Sequence, residues 1–146
     1  MDYLSEPKSI FVFPLNSHDG LPVNAIEHPR MVIVADILHR LCENFDLYEL
    51  YGVDRVFHLV MVAVSEQYGR RGIAGRLLDL SVRVARRDGV RVVIMKAASV
   101  FAAKLAARAS FQMLHEILYN EFDYNATKPF ANSGVHQRIQ LMVLHM

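Results

Sequence analysis

The sequence predicts a single α/β domain built around a parallel strand–helix–strand unit, and three observations carry that prediction. An apolar run, Phe57 to Val64, is rich in valine and interrupted only by His58, so it reads as a buried strand. A polar turn, Ser65-Glu66-Gln67-Tyr68, and a glycine-rich knot, Gly69-Arg70-Arg71-Gly72-Ile73-Ala74-Gly75, follow it. Beyond the knot, Ile73, Leu77, Leu80 and Val84 recur at helical spacing with Ser81 and Ala85 on the flank, and Val90 to Met95 (VRVVIM) then returns as a second strand. Two strands of one sheet joined through a helix form a right-handed parallel pair.

The remaining elements follow in chain order. Met1 to Lys8 shows no periodicity and reads as a loose terminus. Ser9 to Leu15 (SIFVFPL) predicts a short strand ending near Pro14. The turn signal Asn16-Ser17-His18-Asp19-Gly20 and a return strand over Leu21 to Ile26 complete a hairpin. Ile33, Ile37, Leu38 and Leu41, with Val34 and Phe45 flanking, predict a helix from Pro29 to Asn44 with Pro29 in its first turn. Asp46 is placed to cap a shorter helix through Leu50, which Gly52 ends. Asp88-Gly89 closes the central helix. Lys96-Ala97-Ala98-Ser99 leads into an alanine-rich helix, Val100 to Arg108. Gln112 to Tyr119 reads as a strand, Asn120 to Asn132 as a polar and aromatic loop, and Gln137 to His145 as a final strand with Ile139, Leu141 and Val143 on one face.

A strand–glycine turn–helix junction aims free backbone N–H groups and the positive end of a helix dipole at one point, where a phosphate is favoured. Neither common phosphate motif matches. A P-loop needs Gly-Lys-Ser/Thr where Gly75-Arg76-Leu77 stands, and the dinucleotide fingerprint needs glycines two and three apart where Gly69, Gly72 and Gly75 run three and three. A tight turn without ligand satisfies the same spacing.

Composition narrows the classes. The chain has 146 residues, 53% of them hydrophobic and 21% charged, which suits one globular domain with a real core. Its net charge is +1, yet seven of its sixteen Lys and Arg lie between Arg70 and Arg91. That local excess suits a phosphate-bearing small molecule better than a nucleic-acid track. For Arg83, Arg86 and Arg87 a place on the polar face and last turn of a helix is sufficient reason. One cysteine, Cys42, excludes an internal disulfide and cannot by itself build a cysteine-based zinc site; it reads as a small apolar helix residue. His39 and Cys42 stand three apart without a further ligand at helical spacing, so no metal is expected. Neither a signal peptide nor a transmembrane run is evident, which predicts a cytoplasmic protein without a membrane or nucleic-acid partner.

The glycine knot resembles the pyrophosphate loop of the GNAT acyltransferases, Gln/Arg-x-x-Gly-x-Gly/Ala. Gly72 and Ala74 take its last two positions, and Gly69 takes the first, with Arg70 and Arg71 beside it. The likeness extends from Asp46 to Tyr124, through DLYELYGVDRVFHLVMVAVSEQYGRRGIAGRLL, a short helix ending Ala109-Ser110-Phe111 where Leu-Gly-Phe is usual, and LYNEFDY. The tail KPFANSGVHQRIQLMVLHM resembles a terminal strand that often opens on a Pro-His pair, of which His136 is present. These segments are similar to the insect arylalkylamine N-acetyltransferases.

The resemblance implies a GNAT-like fold over residues 1–146, short of the family's N-terminal strand and helices. Its sheet would be mixed and mostly antiparallel, with a central splayed parallel pair flanked by helices. It implies acetyl-CoA as co-substrate, no metal, and a small arylalkylamine as acceptor. The backbone of Val62, Ala63 and Val64 would pair with the pantetheine arm, and Gly69, Arg70, Arg71, Gly72, Ile73, Ala74 and Gly75 would hold the pyrophosphate. The family's general base is a glutamate in an N-terminal helical region; Glu6 and Glu27 do not stand in such a helix here. Where the family carries Ser-Ser-x-Tyr-Ser, this chain reads Ala98-Ser99-Val100-Phe101-Ala102. The catalytic candidates are therefore Ser99, which also suits a helix N-cap, and His58, which also suits a buried strand position. Two functions follow: an N-acetyltransferase, monomeric or weakly dimeric, or a weakly active or inactive acyl-CoA-binding relative.

Overall fold

The computed structural model describes residues 12–14 and 29–146. Their strands form one sheet in the order β1-β2-β3-β5-β4. The strands are β1 (Val12–Pro14), β2 (Val56–Leu59), β3 (Val92–Ala97), β4 (Gln112–Leu118) and β5 (Arg138–His145). β2 and β3 are parallel and the other neighbours antiparallel. The mixed, mostly antiparallel sheet with a central parallel pair is thus present. The second arm of the expected hairpin, Leu21 to Ile26, lies outside the described residues, as do Glu6 and Glu27.

Helices cover both faces. On one, α3 (Ile73–Arg87) and α4 (Val100–Arg108) pack Leu78, Val82, Ala85 and Ala106 against Phe57, Leu59, Val93, Met95 and Met142. On the other, α1 (Pro29–Cys42) and α2 (Leu47–Tyr51) bring Ile37, Leu41 and Leu47 against Val56, Val92, Ile94, Leu141 and Val143. Alternate residues of β3 go to opposite cores, as a strand covered on both sides requires. No described helix is long and apolar enough to cross a membrane.

Local chemistry sets several boundaries. Asp46 accepts from the N–H groups of Tyr48 and Glu49 and starts α2, and Gly52 ends it at φ 62. Gly89, at φ 74, turns the chain out of α3. Ser110 adopts φ 69, the left-handed conformation that the usual glycine of Leu-Gly-Phe takes without strain.

Two sequence expectations are corrected here. The apolar run Phe57 to Val64 is a strand only to Leu59. The β2–β3 ladder stops at the pair Leu59↔Met95, whereas β3 continues along β5 through Ala97, paired with Gln140. The face of α3 is the second correction. Leu78, Ser81, Val82 and Ala85 are buried, while Leu80 and Val84 are 53% and 49% exposed and Ile73 and Leu77 only half-buried. The helix carries two apolar stripes, and the one containing small residues packs because Ser81 and Ala85 admit the sheet closely. The Ser81 hydroxyl donates to Leu77 O at 2.7 Å and so enters the core satisfied.

This choice of face makes a test. Leu78→Ala should lower unfolding free energy in urea melts by about 2–5 kcal/mol, and Leu80→Ala by less than about 0.5 kcal/mol.

Candidate functional site

A single 3-10 turn, Glu66–Tyr68, carries the chain from the end of β2 towards α3. Tyr68 N–H donates to Ser65 O at 2.9 Å and Gly69 N–H to Glu66 O at 3.0 Å. Arg70 then sits at φ 61 and Gly72 at φ 72, two left-handed residues that reverse the chain. A non-glycine residue pays strain there, so Arg70 marks a place where a side chain is retained against backbone preference. Gly72 is the N-cap of α3 and supplies no side-chain cap. The first intrahelical bond runs from Arg76 N–H to Gly72 O at 3.1 Å, so the N–H groups of Ile73, Ala74 and Gly75 open outwards without a backbone acceptor. No acidic residue stands in this first turn.

These groups line a cleft of about 480 Å³ between the loop, α3 and α4. Val64, Gly69, Arg70, Gly72, Ile73, Ala74 and Gly75 border it, all of them named from sequence. Val62, Ala63 and Arg71 do not; the Arg71 guanidinium lies 5.4 Å from the centre of the Tyr68 ring. The far wall, from Leu105, Arg108 and Ala109 of α4, was not foreseen, nor was Asp79 of α3. Nothing local in VFAAKLAAR singles out Arg108; it joins Arg70 in the lining of the cleft because α4 packs on the same face as α3. Val60 to Val64 approach the cleft with no backbone hydrogen bond to another described residue. Among the described residues that leaves an unpaired backbone edge beside the cleft.

At the other end of the gap, where β3 enters α4, three segments meet. Ser99 Oγ accepts from Ala102 N–H at 3.0 Å and caps α4. Its own O–H stays available to donate, because capping uses only a lone pair. Val100 N–H donates to His136 Nδ1 at 3.2 Å, which makes Nε2 the protonated nitrogen of the neutral ring. The Tyr119 hydroxyl donates to Ala98 O at 2.6 Å. Phe101, 71% exposed, places its ring edge-on to His136 at 5.8 Å.

His58 lies apart from Ser99 in the middle of β2, paired with Ile94 and facing α1. It is buried, and burial together with the positive charge of Lys96 lowers its pKa to about 4. It is neutral at neutral pH and a weak base. Cys42 closes α1 half-buried; burial pushes its thiol up, opposed by the charge of Lys96 and a hydrogen bond to it. Lys96 carries a sequence signal of its own, as the one ionisable residue in VVIMKA. Among the described residues no three His, Cys, Asp or Glu side chains group as a metal site.

Comparison with known proteins now adds to this geometry. The model of the acetyltransferase (GNAT) family matches residues 32–115, more than half of the chain. The crystal structure of arylalkylamine N-acetyltransferase 2 from Aedes aegypti superposes with a TM-score of 0.81 at 19% identity, over 92% of this chain and 64% of that one. A mosquito arylalkylamine N-acetyltransferase-like 5b gives 0.74 at 22% identity, over 84% and 58%. The polyamine N-acetyltransferase of Drosophila melanogaster gives 0.70 at 21% identity, over 80% and 56%. The chain therefore spans less than two thirds of each of these relatives.

The buried histidine has a measurable consequence. Its folded pKa lies below the ordinary 6.5, so the unfolded chain takes up the proton first. The stability it contributes is present above pH 6.5 and is lost as pH falls towards about 4. Urea melts at about pH 7 and about pH 4.5 should show a loss of about 2–3 kcal/mol from this group, which His58→Gln removes.

Proposed function

Because the chain belongs to the GNAT acetyltransferase family, we propose that it transfers the acetyl group of acetyl-CoA to a small amine by direct attack on the thioester. The observation that carries this reading is the row of three unpaired N–H groups at Ile73, Ala74 and Gly75, opening into a cleft that Arg70 and Arg108 flank. A pyrophosphate there gains oriented donors, a helix dipole and two cations. The unpaired edge of Val60 to Val64 offers amide partners to the pantetheine arm, as an added strand would use them. Among the solved relatives named above are an arylalkylamine N-acetyltransferase and a polyamine N-acetyltransferase, and an arylalkylamine is the acceptor class proposed for this chain.

The chemistry asks little covalent work of the protein. The deprotonated amine attacks the thioester carbonyl, the tetrahedral adduct collapses, and the thiolate leaves and takes a proton. Holding the two reactants together is worth up to about 7–11 kcal/mol of the barrier. Ser99 is the proposed proton donor to the thiolate, since capping leaves its O–H free. His58, neutral but weakly basic, stays the candidate acceptor of the amine proton, with water as the final sink. A second reading, an acyl-CoA-binding relative with little turnover, is favoured by Phe101, which has no hydroxyl, and by the weak basicity of His58.

Calorimetric titration with acetyl-CoA should give micromolar binding, and Gly72→Glu should abolish it by setting a carboxylate in the anion site. Unchanged binding in that variant would mean that the pyrophosphate lies elsewhere. Thiol release with tryptamine or dopamine separates the two readings: turnover supports the enzyme, and binding alone supports the relative.

Ser99 can be tested by separating its two roles. Ser99→Ala should lower stability by about 1 kcal/mol and kcat by about 10²-fold. Ser99→Asp keeps a cap without a neutral hydroxyl, so it should restore the melting temperature but not kcat.

A further inference from the structure

Lys96 is the one ionisable side chain of β3, in a strand that otherwise feeds two apolar cores. By register it shares a face with Ile94, and through Ile94 with His58 of β2; that face is turned to α1. Its position along the strand is unusual. The β2–β3 ladder ends one residue earlier, at Leu59↔Met95, while on the other side Lys96 still pairs with Leu141 of β5. Lys96 therefore stands at the point where the two parallel strands part, on the face opposite α3, α4 and their cleft.

Among the described residues its surroundings contain no counter-charge. The half-buried Lys96 hydrogen-bonds the Cys42 thiol and acts on the neutral His58 through its charge. The ion pairs of the described residues join His39 to Glu43 and four arginine or lysine side chains to other carboxylates, none of them involving Lys96. A partly desolvated cation without an anion is costly, and an apolar residue would pack this strand better. An anion supplied from outside removes that cost.

We propose that Lys96 selects acceptor amines that carry a carboxylate, pairing with that carboxylate where β2 and β3 diverge. The proposal rests on the acetyltransferase reading above and names the substrate class of that site. Acetyl-CoA enters from the α3–α4 face and the acceptor from the α1 face, so their reactive groups meet in the gap between the strands. A cationic acceptor such as a polyamine meets an uncompensated like charge there. An amino-acid-like acceptor brings the missing anion and holds its amine beside it.

The test uses twins that differ only in the carboxylate. Tyrosine and tyramine serve as acceptors in thiol release, and N-acetyltyrosine and N-acetyltyramine as products titrated into the chain with and without CoA. Wild type should favour the carboxylated member about 10- to 100-fold in both assays, the range of a charge-assisted pair. Lys96→Met should lose that preference with CoA affinity unchanged, and Lys96→Arg should keep it. Equal affinity for the two products, preference for the tyramine series, failure to bind either product, or a preference that survives Lys96→Met overturns the proposal. Preference for N-acetyltyrosine without thiol release leaves Lys96 assigned and removes the catalytic reading instead.

Discussion

The early end of the β2–β3 ladder is the constraint on which the rest of this structure depends. Parallel strands that stay paired would bury their backbone groups in each other and leave no room for a ligand. Here pairing stops at Leu59↔Met95, so among the described residues Val60 to Val64 keep their amide edge unpaired and the gap opens towards α3. β3 holds its position because β5 pairs with it through Ala97. One side of the gap is therefore a rigid wall, and the other is a free edge. The groups proposed to bind and those proposed to react lie at opposite ends of that opening, the glycine loop at one and the start of α4 at the other.

The two cores give the gap its chemistry. Alternation along β3 sends Val93, Met95 and Ala97 to one layer and Val92, Ile94 and Lys96 to the other. The cleft layer is apolar with arginines at its mouth, suited to a long ligand with a charged head. The α1 layer holds His58, Lys96 and Cys42 in a mainly aliphatic setting, where the charge of Lys96 adds to burial in lowering the pKa of His58 and opposes burial at the Cys42 thiol. A single alternating strand thus separates the surface proposed to bind an anion from a titratable one.

Much of this was legible in the sequence. The strand–glycine turn–helix–strand order, the Asp46 cap, the Gly52 stop and the Ser99 cap follow from local chemistry, and local chemistry is what sequence records. The length of β2 was not legible, because a valine run stays suited to a strand whether or not a partner runs beside it. The face of α3 was misread for a related reason. Ile73, Leu77, Leu80 and Val84 form a cleaner apolar pattern than Leu78, Ser81, Val82 and Ala85, but small residues, not the largest ones, let a helix lie close to a sheet. In the site, the glycine loop announced itself, whereas Arg108 depends on how α4 crosses α3. Lys96 gave a plain signal, a charge in an apolar strand, that becomes meaningful only beside the end of the ladder.

The uncovered stripe of α3 also bears on how molecules of this protein meet one another. Leu80 and Val84 are half-exposed aliphatics, and Arg76, Arg83 and Arg87 share their side of the helix, with Asp79 held by Arg83 at 3.0 Å. Two such faces pressed together would oppose arginine to arginine, so at low salt the charges keep the aliphatic patches apart. Dissolved salt shortens the reach of that repulsion to about 8 Å at physiological ionic strength, while apolar attraction is undiminished. Self-association through this helix would therefore grow as ionic strength rises, the reverse of a contact built on ion pairs.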